Sequence, residues 1–216
     1  MTMEKASLSK ATLGRLPEYL NFLRTLDKKK TPYISATAIA KALSRGEVQV
    51  RKDLNSLSGA GRPKVGYETA SLIKCLTEHL GTEAMTPAIL VGAGKLGRAL
   101  LNYDGFMDFG VEIVAAFDCN EFTYTIGSAQ KTVLPIDKLE AFCKERGVKI
   151  GIITVGVGSA QPVCDKLVGC GIRAIWNFAP CRLDVPEDVI VKHENLALSL
   201  AHLNNQTLAH LNNPSG

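Results

Sequence analysis

No apolar run in the 216 residues approaches the eighteen that a membrane span needs, so no segment reads as transmembrane. The first residues, MTMEKASLSKATLG, lack the apolar stretch and cleavage site of a secretory signal, and the expected location is cytoplasmic. There is no CxxC, and the six cysteines (Cys75, Cys119, Cys143, Cys164, Cys170 and Cys181) have no histidine pair nearby. Scattered through apolar segments, they read as reduced, mostly buried thiols rather than as disulfides or metal ligands. No internal repeat or low-complexity segment appears. At 46% hydrophobic and 21% charged, the chain has the composition of a globular protein with a real core.

Acidic residues are short at the front. Residues 1–86 hold 14 Lys and Arg against 8 Asp and Glu, a surplus of 6, whereas 87–216 hold 11 against 13. Anion binding is therefore expected in the first third. That third reads as helices. LGRLPEYLNFLRTL places Leu13, Leu16, Tyr19 or Leu20, Leu23 and Leu26 on one stripe, with Pro17 expected in the first turn. Ser35 is a good N-cap for ATAIAKAL, in which Ile39, Ala42 and Leu43 are expected to face inward. After the turn SRGE comes a third helix, VQVRKDLNSL, and the order is that of a helix-turn-helix.

At about 100° per residue, Val50, Leu54 and Leu57 fall within roughly 60° of one another. The other side carries Gln49, Arg51, Lys52, Asn55 and Ser56. Arginine and amide side chains can read guanine and adenine edges in a major groove, and lysine can meet phosphate. A solvated amphipathic helix is the plainer alternative for such a face taken alone. SGAGRPKVGYET then reads as a glycine-rich turn followed by strand, a hairpin wing carrying Arg62 and Lys64. The helix SLIKCLTEHLG closes a DNA-binding domain over residues 1–82.

From Pro87 the period changes. PAILVGAG, VEIVAAFD, VKIGIITV and IRAIWNF read as strands alternating with helices, which implies a parallel sheet with right-handed crossovers over 87–193. The pattern Gly92-x-Gly94-x-x-Gly97 sits between the first strand and its helix, where a dinucleotide cradle needs it. Gly92 allows the tight turn, Gly94 lets backbone approach a pyrophosphate, and Gly97 lets helix and strand pack closely. Asp118 ends the second strand, 21 residues beyond Gly97, where a carboxylate accepts from both ribose hydroxyls and repels a 2′-phosphate. NAD(H) is therefore expected over NADP(H).

Catalytic groups are missing. No Tyr-x-x-x-Lys pair is suited to a proton relay, and His79, His193, His202 and His210 lie in the linking helix or the tail. Asp184 and Asp188 read as turn residues. Without a general acid or base, hydride transfer lacks its protein half, so no catalytic residue and no enzyme are expected. An NAD-dependent oxidoreductase and a repressor with another nucleotide ligand remain the alternatives. Leu196, Leu200, Leu203, Leu208 and Leu211 stripe a late helix over 194–214 that has little chain left to cover it.

GRLPEYL, VQVRKDL, VGY, VGAGKLGRALLNYDGF, AFD, LPIDKL, ITV and WNFAP, in this order over nearly the whole chain, resemble the Rex family of redox-sensing transcriptional repressors. The resemblance implies an N-terminal winged helix-turn-helix, a Rossmann-like parallel-sheet domain, and a C-terminal helix exchanged in a homodimer. It implies a palindromic double-stranded DNA operator, released when NADH binds, and no metal. It implies that Arg51 and Lys52 contact DNA; Gln49, Asn55, Arg62 and Lys64 are the further DNA-binding candidates of the helix and wing. It implies that Gly92, Gly94, Gly97 and Asp118 hold the cofactor and that Asn177, Phe178 and Pro180 lie near its nicotinamide end; Ala93, Lys95, Leu96, Thr154 and Val155 are the further cofactor-binding candidates. Tyr103 falls where family members couple the nicotinamide site to the DNA-binding domains. The wing departs from the family pattern, with its cations at Arg62 and Lys64. Asn21 and Asn195 stand where family members often carry an arginine and an aspartate.

Overall fold

The computed structural model describes residues 8–27, 29–81, 84–119, 122–126 and 129–212. Two compact units emerge, one reaching Met85 together with Asp108–Gly110, the other holding the remainder from Thr86.

The first unit opens with helix α1, Lys10–Thr25. It starts a turn earlier than the leucine stripe suggests, because the Ser9 hydroxyl caps it by accepting from Thr12 N at 3.0 Å. Pro17 consequently lies two turns in, not in the first turn. A short strand, β1 (Tyr33–Ile34), leads to α2 (Ala36–Ala42), where Ser35 accepts from Ala38 N. Ile39 is buried as expected, but Ala36 and Ala40 join it in place of exposed Ala42. Then come α3 (Glu47–Ser58), β2 (Tyr67–Glu68) and α4 (Thr69–Leu80), which ends on left-handed Gly81. Strands β1 and β2 pair antiparallel. Leu16, Tyr19, Leu20, Leu23, Ile39, Val50, Leu54 and Leu76 are fully buried together. Each such side chain contributes about 1.5–3 kcal/mol over leaving it in water.

The second unit is a doubly wound sheet. Its elements in chain order are β3 (Thr86–Val91), α5 (Lys95–Leu101), β4 (Val111–Asp118), β5 (Phe122–Ile126), β6 (Ala129–Pro135), α6 (Leu139–Arg146), β7 (Ile150–Ile153), α7 (Val157–Gly169), β8 (Ala174–Asn177), β9 (Ile190–His193) and α8 (Leu196–Asn212). Strands run β5-β6-β4-β3-β7-β8-β9 across the sheet, all neighbours parallel except β5 and β6. Without the antiparallel edge strand β5, this is the order of a dinucleotide-binding fold, with its switch point between β3 and β7. Alternation along β3 serves both faces. Ile89 and Val91 join Phe117, Leu139, Ile153 and Leu167 on one side, and Ala88 and Leu90 join Ala116, Val133 and Ile152 on the other. A parallel sheet covered on both faces needs such apolar strands. Among the described residues no helix is long and apolar enough to cross a membrane.

Candidate functional site

In the first unit α3 divides its faces as its sequence requires. Val50, Leu54 and Leu57 are buried, while Gln49, Arg51, Lys52 and Asn55 are exposed. Buried with the leucines is a residue that hydrophobic patterning misses: Asp53. Its carboxylate accepts from Arg15 Nε and a terminal guanidinium nitrogen at 2.7 and 2.8 Å, Tyr19 Oη at 2.8 Å, Gln49 Nε2 at 3.0 Å and Thr12 Oγ1 at 3.2 Å. Burial works against its charge, but the bonds from Arg15, Tyr19 and Gln49 outweigh it and hold the pKa below the usual carboxylate value. Burial, with the bond to Asp53, pushes the Tyr19 phenol up to about 12. This hub locks α3 against α1 and commits one end of Gln49.

Arg51 and Asn55 face a groove of about 370 Å³ between α3 and the wing, lined also by Arg62, Lys64 and Tyr67 among others, whereas Lys52 lies outside it. Tyr67 donates to Asn55 Oδ1 at 2.7 Å and ties the wing to the helix. Arg51 pairs with Glu47 one turn back. The wing closes where Arg62 N donates to Gly66 O at 2.8 Å and Gly66 N donates to Arg62 O at 2.9 Å. Among the described residues, Lys52, Arg62 and Lys64 have no ion-pair partner.

The second unit holds a cavity of about 440 Å³ at the switch point. Gly92 takes φ 104°, and a Cβ there would stand 2.8 Å from the Thr154 backbone carbon. At Gly97 a Cβ would lie 2.0 Å from Gly92 O and 2.9 Å from Thr154 Oγ1. Gly94 is different, since a Cβ there meets nothing within 4 Å and points into open space. The Thr154 hydroxyl donates to Gly92 O at 2.6 Å, and its N–H donates to Val91 O at 2.9 Å. Glycine turn and β7 loop are thus fastened together. Asp118 accepts from Ala93 N and from Cys119 N, each at 2.7 Å. Partial burial opposes its charge, but the bonds from Cys119 and Ala93 prevail and keep it ionised below the usual range.

The cavity brings together Gly92, Gly94, Asp118, Thr154 and Val155, and adds Cys119, Ile136, Gly156, Ser159 and Val163, which motif reading does not reach. Ser159, in the first turn of α7, had a topological signal: the segment after the strand across the switch point borders the crevice. Ala93 and Gly97 are buried beneath the turn, Lys95 is exposed and Leu96 half-buried on α5, and none of these four lines the cavity. Asn177 is fully buried, and its amide is committed to the loop that follows it. Nδ2 donates to Ala179 O and Cys181 O at 3.1 and 3.0 Å, and Oδ1 accepts from Ala179 N at 3.0 Å. Phe178 stacks against Trp176 with centroids 4.5 Å apart, and Phe106 links Trp176 to the exposed Tyr103 by edge contacts of 5.7 and 5.0 Å. Asn195 Oδ1 caps α8 by accepting from Leu198 N at 2.9 Å, and Asn21 is exposed on α1. No group of three or more His, Cys, Asp or Glu is placed to hold a metal among the described residues.

A winged helix-turn-helix joined to a Rossmann-type nucleotide fold defines a class of ligand-responsive DNA-binding regulators. Residues 7–55 match the family model described as a putative DNA-binding protein N-terminus, and residues 83–181 match that of the CoA binding domain. The redox-sensing transcriptional repressor Rex of Bacteroides fragilis is 39% identical over 203 residues, covering 94% of this chain and 92% of that protein. The Rex of Treponema denticola is 39% identical over 192 residues, covering 89% and 91%. Among solved structures, RSP, a Rex-family repressor, superposes with a TM-score of 0.82 at 32% identity over 97% of this chain and 98% of that one. Its complex with NAD+ and operator DNA gives 0.82 at 32% identity, covering 98% and 100%, and its complex with NADH 0.79 at 33%, covering 96% and 95%. The chain belongs to the Rex family of redox-sensing transcriptional repressors.

Proposed function

We propose that this chain acts in the cytoplasm as a homodimer whose grip on a palindromic double-stranded operator is set by NAD(H). Residues 1–82 bind DNA, residues 87–193 bind the cofactor, and the helix within 194–214 docks on the second copy. NADH favours the state that releases the operator, and NAD+ the state that keeps it. The cofactor is bound and not turned over. The observation that carries this reading is the cradle: a glycine turn with no room for side chains at Gly92 and Gly97, open space above Gly94, and an ionised Asp118 lining the same cavity. Backbone there meets the pyrophosphate and Asp118 holds both ribose hydroxyls. The same carboxylate repels a 2′- or 3′-phosphate, which argues against NADP(H) and coenzyme A in this cavity.

On the DNA side, Arg51 reads a base edge or phosphate, Asn55 and Gln49 offer amides, and Lys52, Arg62 and Lys64 meet phosphates. Arg51 must first leave Glu47. Both side chains are about half exposed, and such a surface pair is worth roughly 0–1 kcal/mol, less than the 1–3 kcal/mol of a good base contact. The exchange favours DNA. Leu196, Leu200 and Leu203 are 57–66% exposed at helical spacing on α8, which supports a covering partner. Tyr103, exposed at the end of its aromatic series, is the coupling residue.

Fluorescence anisotropy on a pool of short palindromic duplexes, at fixed salt with no cofactor, NAD+, NADH or NADPH, tests this reading. Release by NADH alone is expected. Binding indifferent to every cofactor would remove the sensing, and hydride transfer without any DNA affinity would replace the repressor with an oxidoreductase.

A further inference from the structure

Two described residues other than glycine have a positive φ, Ser44 at 50° and Lys64 at 63°. Lys64 sits at the tip of the wing. Val65 N donates to Arg62 O at 3.1 Å, so Pro63 and Lys64 are the central pair of a four-residue turn inside the Arg62–Gly66 bridge. Proline first and positive φ second is the type II pattern, whose second place ordinarily goes to glycine or asparagine. A lysine there adopts a backbone conformation that L side chains resist. Strained residues persist where the surroundings over-determine them, and they cluster at sites of function. Here Pro63 presets the turn and the bridge closes it.

The charges around the turn suggest what the strain serves. Arg15, Arg45 and Arg51 each have a carboxylate partner, whereas Arg62 and Lys64 have none among the described residues. Both line the groove beside α3. An ammonium is a compact point charge without arginine's planar fork, and as a point charge it is a common phosphate binder.

We infer that Lys64 is held in the left-handed conformation so that the wing tip presents its ammonium to a DNA backbone phosphate. It contributes affinity common to all sequences at the expense of the wing's own stability. The inference rests on the DNA-binding reading above. Neutralising one phosphate gives a slope of about −0.9 in log K against log salt. Across the decade from 1 M to 0.1 M salt, loss of that contact weakens binding about eightfold per wing.

The test compares full-length wild type with Lys64→Gly, Lys64→Asn and Lys64→Arg, by thermal melting and by anisotropy over a salt series. Two duplexes are used, the palindrome the wild type binds best and an unrelated sequence. Lys64→Gly and Lys64→Asn should melt no lower than wild type, bind both duplexes about eightfold per wing more weakly at 0.1 M salt, and lose about 0.9 per wing from the slope. Lys64→Arg should keep affinity and slope. A glycine variant that melts lower overturns the strain. Unchanged affinity, loss on one duplex only, or an asparagine variant that binds like wild type overturns the phosphate contact. No binding by the wild type at any salt would overturn the DNA-binding reading itself, and this inference with it.

Discussion

Gly97 and Gly94 make opposite demands on the cradle, and a pair of variants separates them. In Gly97→Ala the new methyl carbon would stand 2.0 Å from Gly92 O, where ordinary contact begins near 3.4 Å. That oxygen is already bonded to Thr154 at 2.6 Å, and the threonine hydroxyl is itself 2.9 Å from the added carbon. Nothing nearby can yield cheaply, so α5 has to move off the strand by about an ångström. Overpacking of this kind costs roughly 1–3 kcal/mol, which for a chain of this size lowers the melting temperature by about 2–12 °C. The displaced turn should also weaken NADH binding by tenfold or more. Gly94→Val meets no protein atom at its Cβ, so it should melt within about a degree of wild type while losing NADH binding, because its methyls occupy the ligand's space. Calorimetric titration with NADH beside thermal melting reads both quantities. If Gly94→Val destabilises the chain and Gly97→Ala does not, or if either binds NADH like wild type, the account of the cradle is wrong.

Arg51→Ala should cost about 1–3 kcal/mol of operator affinity and leave NADH binding unchanged, as measured by anisotropy and calorimetry on the same sample. Asp118→Ala should narrow the preference for NADH over NADPH, and calorimetry showing unchanged discrimination would remove the carboxylate from the ribose. Thr154→Val should weaken both NAD+ and NADH with recovery in Thr154→Ser, since only the hydroxyl reaches Gly92 O. The Asp53 hub should give the first unit a stability window in pH. Asp53 is held below its ordinary pKa, so its contribution is complete above about 4 and is lost as pH falls through the depressed value. Tyr19 is raised to about 12, so its contribution is complete below about 10 and is lost as pH climbs to about 12. Melting curves across that range, compared with those of Tyr19→Phe, should show the alkaline loss disappear in the variant.

What the sequence made legible follows from which signals are local. The α3 face, the Ser35 cap and the glycine turn were readable because each depends on spacing within a few residues. Strand β9 escaped notice because four residues in a largely exposed edge position carry too little apolar alternation to stand out. Strand β5 did carry a local signal, since Phe122-Thr-Tyr-Thr-Ile126 alternates apolar and polar residues ahead of the dipeptide Gly-Ser. Asp53 was hidden for a different reason. A carboxylate one residue from Leu54 looks solvated until Arg15, 38 positions away in sequence, arrives to pair with it. Asn177 ends a strand beside the cradle, and only the fold shows its amide bonded to Ala179 and Cys181 and 3.2 Å from Nδ1 of His193 at the end of β9.

That last placement bears on how one bound molecule can report its own redox state. In the reading proposed above, the glycine turn meets the pyrophosphate and Asp118 the ribose, parts that NAD+ and NADH share. A ligand with equal affinity for two states shifts nothing, however tightly it binds. The difference has to be made at the nicotinamide, and in the proposed reading the loop that Asn177 fastens, Phe178–Cys181, lies at that end. Moving a two-state balance from 1:99 to 99:1 requires about a 10⁴-fold preference. Two cradles in the proposed dimer would divide it into about 100-fold each, or roughly 2.7 kcal/mol. Two or three hydrogen bonds made in one state and broken in the other supply that, at about 0.5–1.5 kcal/mol each. The glycine turn can therefore be built for affinity alone, and the switch confined to a few polar contacts around one ring.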